Sequence, residues 1–268
     1  MKLCNRILLK FYYFAPRNLW NWVATLLGIG KTGYDSETIT QMIVEKNINW
    51  EYAYEKDVTS YENQKIVTAI AHHQSRHNSS FVTVLDFGGG GGHSFEIAQQ
   101  TFKKISMKWV VVEREKIVKM LTNRISRDGL SFASSIEEAK KMTGNVDLIF
   151  CNSALQYTDA PLDSLENLLR QNAKTVFLTR SPFAKGKDAI SYIQPSLSES
   201  NGPGHPPRNL HSVLEGYKCK SVPIEEVLSL IQKYYREVKV FDEGRWEGAR
   251  SAKLINSYTI LATNPILI

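Results

Sequence analysis

Cysteine is scarce in this 268-residue chain, and its spacing excludes two common kinds of stabilised fold. Cys4, Cys151 and Cys219 are odd in number and far apart, so no C-x-x-C pair exists. This argues against a disulfide framework and against a cysteine-ligated zinc site. A chain so poor in cysteine fits the reducing cytoplasm, and we expect it there.

The sequence also has no long uncharged apolar run. The longest, at about residues 18–30, is shorter than the roughly 20 residues that a membrane-spanning helix needs. No small-residue cleavage site follows a clean apolar core, which disfavours a signal peptide. We therefore expect neither a spanning helix nor a secreted protein.

Acidic residues are absent from residues 1–34, which contain Lys2, Arg6, Lys10, Arg17 and Lys31. Five of the six net positive charges of the chain lie there, so the remainder is nearly neutral. Nucleic-acid binding depends on extensive neutralisation of phosphates, and we expect no nucleic-acid partner. For residues 1–30 two interpretations stay open: a helical lid packed on the domain, or an amphipathic segment in peripheral contact with an anionic membrane.

Strand-like and helix-like segments alternate along most of the chain. This alternation predicts an α/β fold with a Rossmann-like, mostly parallel, seven-stranded sheet and helices on both faces. Residues 1–78 are predicted to be a helical extension or lid, with Ser36 capping one helix and a second helix over about 61–72. Residues 79–268 are predicted to form the main domain. Its strand-like runs are 81–86, 109–112, 146–150, 175–178, 238–241 and 258–262, with a further strand just before Phe132; its helices lie near 93–103, 115–126, 136–142, 162–171 and 224–235.

One segment breaks the alternation. Residues 182–223 contain six prolines and four glycines after the fifth predicted strand. A segment this long is commonly a functional loop or a mobile insert. We expect it to overhang the carboxyl edge of the sheet, where α/β proteins bind ligands.

The strongest motif is a glycine-rich turn between an apolar strand and a helix. It has the form D-x-G-x-G-x-G, with Asp86 at the strand end followed by Gly88, Gly90 and Gly92. Glycines let the backbone turn sharply and approach a ligand closely. A carboxylate beside them can meet the cationic amino-acid part of a sulfonium cofactor. The motif therefore predicts S-adenosylmethionine as cofactor, in contact with these four residues.

The competing interpretation is a dinucleotide-binding loop, G-x-G-x-x-G. In the three possible frames the third glycine is replaced by His93, Ser94 or Phe95. No G-K-[ST] sequence is present, which excludes a phosphate-binding P-loop. A nicotinamide-dependent oxidoreductase or epimerase stays open as a disfavoured alternative.

Two further segments are candidates for contact with the cofactor. Glu113 ends the next strand, where a carboxylate can accept hydrogen bonds from both ribose hydroxyls. Ser134, Ser135 and Ile136 follow the third strand and are expected near the adenine. Ser135 and Glu138 also form a capping box, which is a sufficient structural reason for that serine.

Several segments together resemble a known family. The sequences V-L-D-F-G-G, V-V-E, S-I-E-E, N-S-A-L-Q-Y and R-S-P-F occur in this order. They resemble class I S-adenosylmethionine-dependent methyltransferases, and in particular a family of bacterial proteins inferred to be methyltransferases, whose genes are often found among those for surface polysaccharides. The resemblance covers roughly residues 33–262. It implies cofactor contacts at Asp86, Gly88, Gly90, Glu113 and Asn152, with L-Q-Y and R-S-P-F at the mouth of the active site.

Catalytic candidates are sparse. His205 and His211 in the insert and Tyr157 after the fourth strand are candidates for a general base. Arg180, at the end of the fifth strand, is a candidate for holding an acidic or phosphorylated acceptor, or for pairing with a nearby carboxylate. We expect no metal, because His72, His73 and His77 share one predicted helix without partner ligands.

Three functions stay open. The first is methylation of a hydroxyl on a sugar or another small or lipid-linked acceptor. The second is the nicotinamide-dependent chemistry above. The third is a cofactor-binding scaffold without catalytic activity.

Overall fold

The computed structural model describes residues 7–12, 17–29, 36–48, 60–200, 207, 209–246 and 254–266. Seven strands form the main sheet in the order β3-β2-β1-β4-β5-β9-β8. Strands β1 to β5 pair in parallel, and β9 runs antiparallel between β5 and β8. The bounds are β1 Phe81–Phe87, β2 Ser106–Val112, β3 Leu130–Ala133, β4 Leu148–Asn152, β5 Thr175–Ala184, β8 Tyr235–Arg245 and β9 Ile255–Pro265. The predicted Rossmann-like α/β fold is confirmed.

Helices cover both faces of this sheet. Residues 7–12 are helical and are called α1. The others are α2 Arg17–Leu26, α3 Glu37–Ile48, α4 Tyr61–His77, α5 His93–Thr101, α6 Glu115–Thr122, α7 Ile136–Thr143, α8 Pro161–Leu169 and α9 Ile224–Tyr234. Buried strand residues alternate between the two faces: Val84 packs with α3 to α6, and its neighbour Leu85 packs with α7 to α9. Burial on both faces explains the continuous apolar strands.

The residues before β1 are part of this core. Ile43 of α3 and Ile66 and Ile70 of α4 lie in the same buried cluster as Val84. Helix α4 begins after Ser60, whose hydroxyl accepts a hydrogen bond from the Asn63 backbone N–H, and it is one turn longer than predicted. Helix α3 begins directly after Ser36, as expected. The buried side chains of α3 and α4 belong to the main core. The predicted domain division at residue 78 stays a prediction.

The insert contains a β-hairpin. Residues 190–197 and 214–221 form two antiparallel strands, β6 (Ile190–Leu197) and β7 (Leu214–Ser221), in a separate two-stranded sheet. We predicted a functional loop or a mobile insert over residues 182–223 and did not predict these two strands. Pro195 pairs opposite Gly216, and because both strands of a two-stranded sheet are edge strands, a missing N–H is tolerated there.

The hairpin supports the N-terminal helices. Trp20 of α2 is 1% exposed and its indole N–H donates to the Ile193 carbonyl of β6 at 3.3 Å. Tyr12 of α1 packs edge-on against the same indole, with ring centroids 5.2 Å apart. Within the described ranges no helix has the length and apolar character needed to cross a bilayer.

Candidate active site

The glycine turn lies where β1 ends, at the carboxyl edge of the sheet. Gly88, Gly90 and Gly92 all have positive φ, at +73°, +58° and +85°, which glycine adopts without the strain that other residues incur. The Gly88 N–H donates to the Val112 carbonyl at 2.9 Å and continues the ladder between β1 and β2. The turn is therefore held rigidly between two strands and the start of α5.

Four of the five glycines are packed closely by neighbouring residues. A Cβ at Gly88 would lie 2.3 Å from that of Ala154, and one at Gly91 would lie 2.2 Å from the side chain of Asn47. Gly89 and Gly92 are restricted in the same way by Asp86 and Leu130. Only at Gly90 among the five is there open space, with no atom within 4 Å of the position that a Cβ would take. The backbone at Gly90 therefore borders an open space.

Asp86 lies beneath this turn. Its side chain is 1% exposed, and its Oδ2 accepts a hydrogen bond from the Trp109 indole N–H at 3.1 Å. The pKa of Asp86 is raised to about 7, chiefly by burial; the hydrogen bond from Trp109 opposes the rise, and the Glu113 carboxylate adds to it. A buried carboxylate with one neutral donor lacks a compensating positive charge. Its direct contact with a cofactor stays a prediction.

Glu113 faces the open side of the glycine turn. Its two carboxylate oxygens accept hydrogen bonds from the backbone N–H groups of Gly90, at 3.2 Å, and Arg114, at 2.9 Å. Burial raises the pKa of Glu113, and these two donors oppose the rise. The carboxylate is thus fixed next to Gly90, and its predicted contact with the cofactor stays a prediction.

The segment after β3 is occupied with capping α7. The Ser135 hydroxyl accepts from the Glu138 backbone N–H at 3.1 Å, as the predicted capping box requires. The Glu138 carboxylate in turn accepts from both the backbone N–H and the hydroxyl of Ser134. Ile136 is buried in the core. The predicted adenine contacts of these residues stay predictions.

Two side-chain oxygens at the end of β4 lack hydrogen-bond partners. They are Oδ1 of Asn152 and Oε1 of Gln156, both buried, and no described residue donates to either. The Gln156 amide N–H group is oriented by the carbonyl and hydroxyl of Ser153, at 3.0 and 2.8 Å. Buried acceptors without donors are costly, and a ligand with N–H or O–H groups would satisfy them.

Tyr157 ends the short 3-10 turn that follows β4. Its hydroxyl donates to Gln194 Oε1 at 3.4 Å, and its ring packs edge-on against Tyr217 at 5.8 Å. Both partners belong to the hairpin, which therefore forms one wall beside the turn.

Cys151, just before Asn152, is buried, and burial raises the pKa of its thiol to about 12. It is therefore a packing residue and is not a nucleophile.

Arg180 pairs with a carboxylate, one of the two roles considered for it. Its guanidinium lies 2.9 Å from Glu62 Oε1 in the first turn of α4. Its φ of +49° coincides with the irregularity in the pairing of β5 with β9. The backbone at this point is held level with the end of β4, because the Ser153 N–H donates to the Thr179 carbonyl at 3.0 Å. The ion pair therefore lies at the carboxyl edge of the sheet.

The two candidate histidines of the insert are His205 and His211. His205 lies outside the described residues. His211 is exposed, just before β7. Among the described residues no three His, Cys, Asp or Glu side chains are grouped as metal ligands would be.

Sequence reasoning missed Trp109 and Asn47. A buried tryptophan requires an acceptor for its indole N–H, which points to a nearby carboxylate. The pairing of Val84 with Trp109 sets which carboxylate this is, and that register is not readable from sequence alone. Asn47 contacts Gly91 from a helix 44 positions earlier in the chain, without any local signal.

No family model matches the chain. In sequence, 102 residues, or 37% of this chain, are 31% identical to a protein named methyltransferase AacuQ from Aspergillus aculeatus. The chain spans only 31% of the length of that fungal relative.

Several solved structures are similar over most of the chain. An S-adenosylmethionine-dependent methyltransferase from Clostridium acetobutylicum matches with a TM-score of 0.47 at 12% identity, over 80% of this chain and 98% of its own. The sugar N-methyltransferase KedS8 from Streptoalloteichus matches with a TM-score of 0.47 at 8% identity, over 80% of this chain and 92% of its own.

Proposed function

We propose that the protein is an S-adenosylmethionine-dependent methyltransferase. The observation that carries the proposal is the site at Gly90, where an open space borders a positive-φ glycine and the fixed carboxylate of Glu113. The partial sequence match to a methyltransferase supports it. An antiparallel β9 beside β5 also departs from the all-parallel 3-2-1-4-5-6 order of dinucleotide-binding folds.

The residues present fit this cofactor. Asp86 and Glu113 are two carboxyl groups with raised pKa values. The positively charged amino group and sulfonium of the cofactor would favour their ionised forms. Glu113 would accept from ribose hydroxyls, and the unpartnered oxygen of Asn152 would accept from an N–H or O–H group of the ligand. Gly88, Gly90 and Gly92 would let the backbone approach the ligand closely.

When bound, S-adenosylmethionine supplies a methyl group on positively charged sulfur, which an acceptor oxygen takes by in-line displacement as the thioether leaves. The chain's own contribution is to position the acceptor and to remove its hydroxyl proton. We assign the positioning to Tyr157, whose hydroxyl is oriented by Gln194 in the hairpin wall. His211 and His205 are the candidates for taking up the proton.

We further propose a sugar hydroxyl, or another small or lipid-linked acceptor, as the methylated group, in the synthesis of a surface polysaccharide in the cytoplasm. The support is the sequence resemblance described above and the polar side chains at the site mouth. Arg180 would bind an acidic or phosphorylated acceptor by exchanging its partner Glu62, whose side chain is largely exposed.

Isothermal titration of the purified protein with S-adenosylmethionine, S-adenosylhomocysteine, NAD and NADP tests the proposal. We expect binding of the two adenosyl compounds alone, and at least about tenfold weaker binding by Gly90→Ala, because a methyl group there enters the ligand space. Gly144→Ala is the matched control: Gly144 also has positive φ and open space, but it ends α7 away from the site.

Binding of a nicotinamide cofactor instead would overturn the proposal, as would equal affinities of the Gly90 variant and the wild type. Binding of S-adenosylmethionine without turnover on any hydroxyl acceptor would leave a cofactor-binding scaffold. That outcome separates the cofactor from the acceptor proposal.

A further inference from the structure

Helix α2 is apolar on two opposite sides. Trp20 and Ala24 face the protein and are buried, with the indole N–H of Trp20 bonded to β6. Leu19, Trp22 and Leu26 recur at helical spacing on the other side and are exposed, Trp22 by 63% and Leu26 by 70%. These three side chains are called the outer face of α2. Large apolar side chains exposed together in this way commonly mark an interaction surface.

Exposed apolar residues also occur directly after α2 and on α1. Leu27, directly after the helix, is 52% exposed, and Ile7 and Phe11, one turn apart on α1, are exposed as well. Tyr12 holds α1 against α2 through its contact with Trp20. The exposure is therefore shared by two helices that contact each other.

The charge of the N-terminal sequence is of one sign. The sequence has five basic and no acidic residues within positions 1–34, and Lys10 of α1 is exposed among the described residues. A second copy of the chain does not fit this pattern, because a twofold interface would bring the two basic segments together. An exposed tryptophan among leucines, with basic residues and no acid nearby, matches the requirements of an anionic bilayer surface.

We propose that the outer face of α2 docks the protein on an anionic membrane surface. Trp22, Leu26 and Leu27 enter the boundary between headgroups and acyl chains, and the exposed Lys10 of α1 meets the negative headgroups. Helix α2 lies along the surface, since it is too short to span the bilayer. Because α2 rests on the hairpin that also holds Tyr157, docking brings the candidate active site close to lipid-linked molecules.

Flotation of the full chain with vesicles tests the proposal without any cofactor or acceptor. We expect flotation with equimolar phosphatidylcholine and phosphatidylglycerol, and little with phosphatidylcholine alone. Trp22→Glu combined with Leu26→Glu should lower the bound fraction by about tenfold or more. Each new carboxylate would have to enter the apolar acyl-chain region and would be repelled by the anionic headgroups. Phe241→Glu on β8 is the matched control, as it replaces another exposed aromatic residue, and it should float as the wild type does.

A second variant distinguishes insertion from surface adsorption. Trp22→Phe should keep binding but lose most of the quenching of tryptophan fluorescence by brominated lipids, because the other tryptophan of α2 is buried. Three outcomes would overturn the proposal: no flotation of the wild type with anionic vesicles, equal flotation of the double variant, or a dimer in sedimentation that the double variant dissociates.

Discussion

Asp86 and Glu113 are two carboxylates placed on either side of one glycine turn. Asp86 accepts a hydrogen bond from an indole, and Glu113 accepts hydrogen bonds from backbone N–H groups, with the Arg114 side chain also favouring its ionised form. Each is buried enough for its pKa to rise. In the free protein the cost of ionising Asp86 is therefore large, and a bound cation would lower it.

The raised pKa of Asp86 predicts that the affinity for S-adenosylmethionine depends on pH. The pKa of Asp86 is raised to about 7, so below that pH the free protein must release a proton when a cation binds. We expect the affinity for S-adenosylmethionine to fall as the pH is lowered through 7, by at most about tenfold per pH unit. Titration calorimetry in two buffers of different ionisation enthalpy measures the proton released.

Asp86→Asn is the control, since an amide oxygen still accepts from Trp109 but does not titrate. The variant should bind more weakly and show no proton release in this range. Parallel pH profiles for the variant and the wild type would show that Asp86 is not coupled to the ligand.

At the scale of elements, the hairpin and α3 are joined by a buried lysine. Lys46 of α3 is 3% exposed, and its Nζ donates to the Glu199 carbonyl at 2.7 Å, in the turn that follows β6. Burial lowers the pKa of Lys46 to about 8, while the Glu199 carboxylate opposes this. The neighbouring Asn47 contacts Gly91, so the hairpin turn and the glycine turn are both contacted by the end of one helix.

Removing this lysine should loosen the hairpin locally. We expect Lys46→Met to increase hydrogen exchange in residues 196–200, because the Glu199 carbonyl loses its buried donor. Mass spectrometry of peptides from the hairpin and from the sheet measures the difference. Lys119→Met, which removes an exposed lysine from α6, should leave these peptides unchanged. Unchanged exchange in the Lys46 variant would mean that other contacts hold the turn.

The main elements were predictable from sequence because their signals are local. Short apolar runs such as Phe81 to Leu85 and periodic helices such as the one that begins at Glu115 were found within a few residues. The hairpin was missed because its prolines were read as breakers, although Pro195 lies in an edge strand that tolerates it. The glycine turn and Glu113 were found, whereas Lys46 was missed because its contact depends on tertiary packing.

At the scale of the whole molecule, a buried histidine packs against the edge of the sheet that lies opposite the candidate site. His73 of α4 is fully buried, with its Nδ1 3.0 Å from Thr175 Oγ1 and its ring 4.6 Å from that of His77. The pKa of His73 is lowered to about 4, chiefly by burial; His77 and Lys174 contribute to this shift, and Asp147 opposes it.

His73 should make the fold acid-sensitive. The unfolded chain takes up this proton near pH 6.5 and the folded one only near pH 4, so stability falls as the pH drops between these values. One histidine contributes at most about 1.4 kcal/mol per pH unit. We expect His73→Gln to flatten the pH dependence of urea unfolding in this window, with His211→Gln, an exposed site, as control. Equal slopes for His73→Gln and the wild type would contradict the assignment.

The contacts that join the N-terminal helices to the hairpin have a consequence for biosynthesis. Trp20 and Ile193 are 173 positions apart, and Lys46 and Glu199 are 153 apart. At ~5–20 residues per second, a ribosome needs on the order of ten to thirty seconds to make the second partner after the first. During that interval the inner side of α2 lacks its partner in the hairpin, so the nascent chain has apolar side chains without their hairpin contacts on one side of this helix and exposed ones on the other. We therefore expect a chaperone to bind the nascent chain during translation.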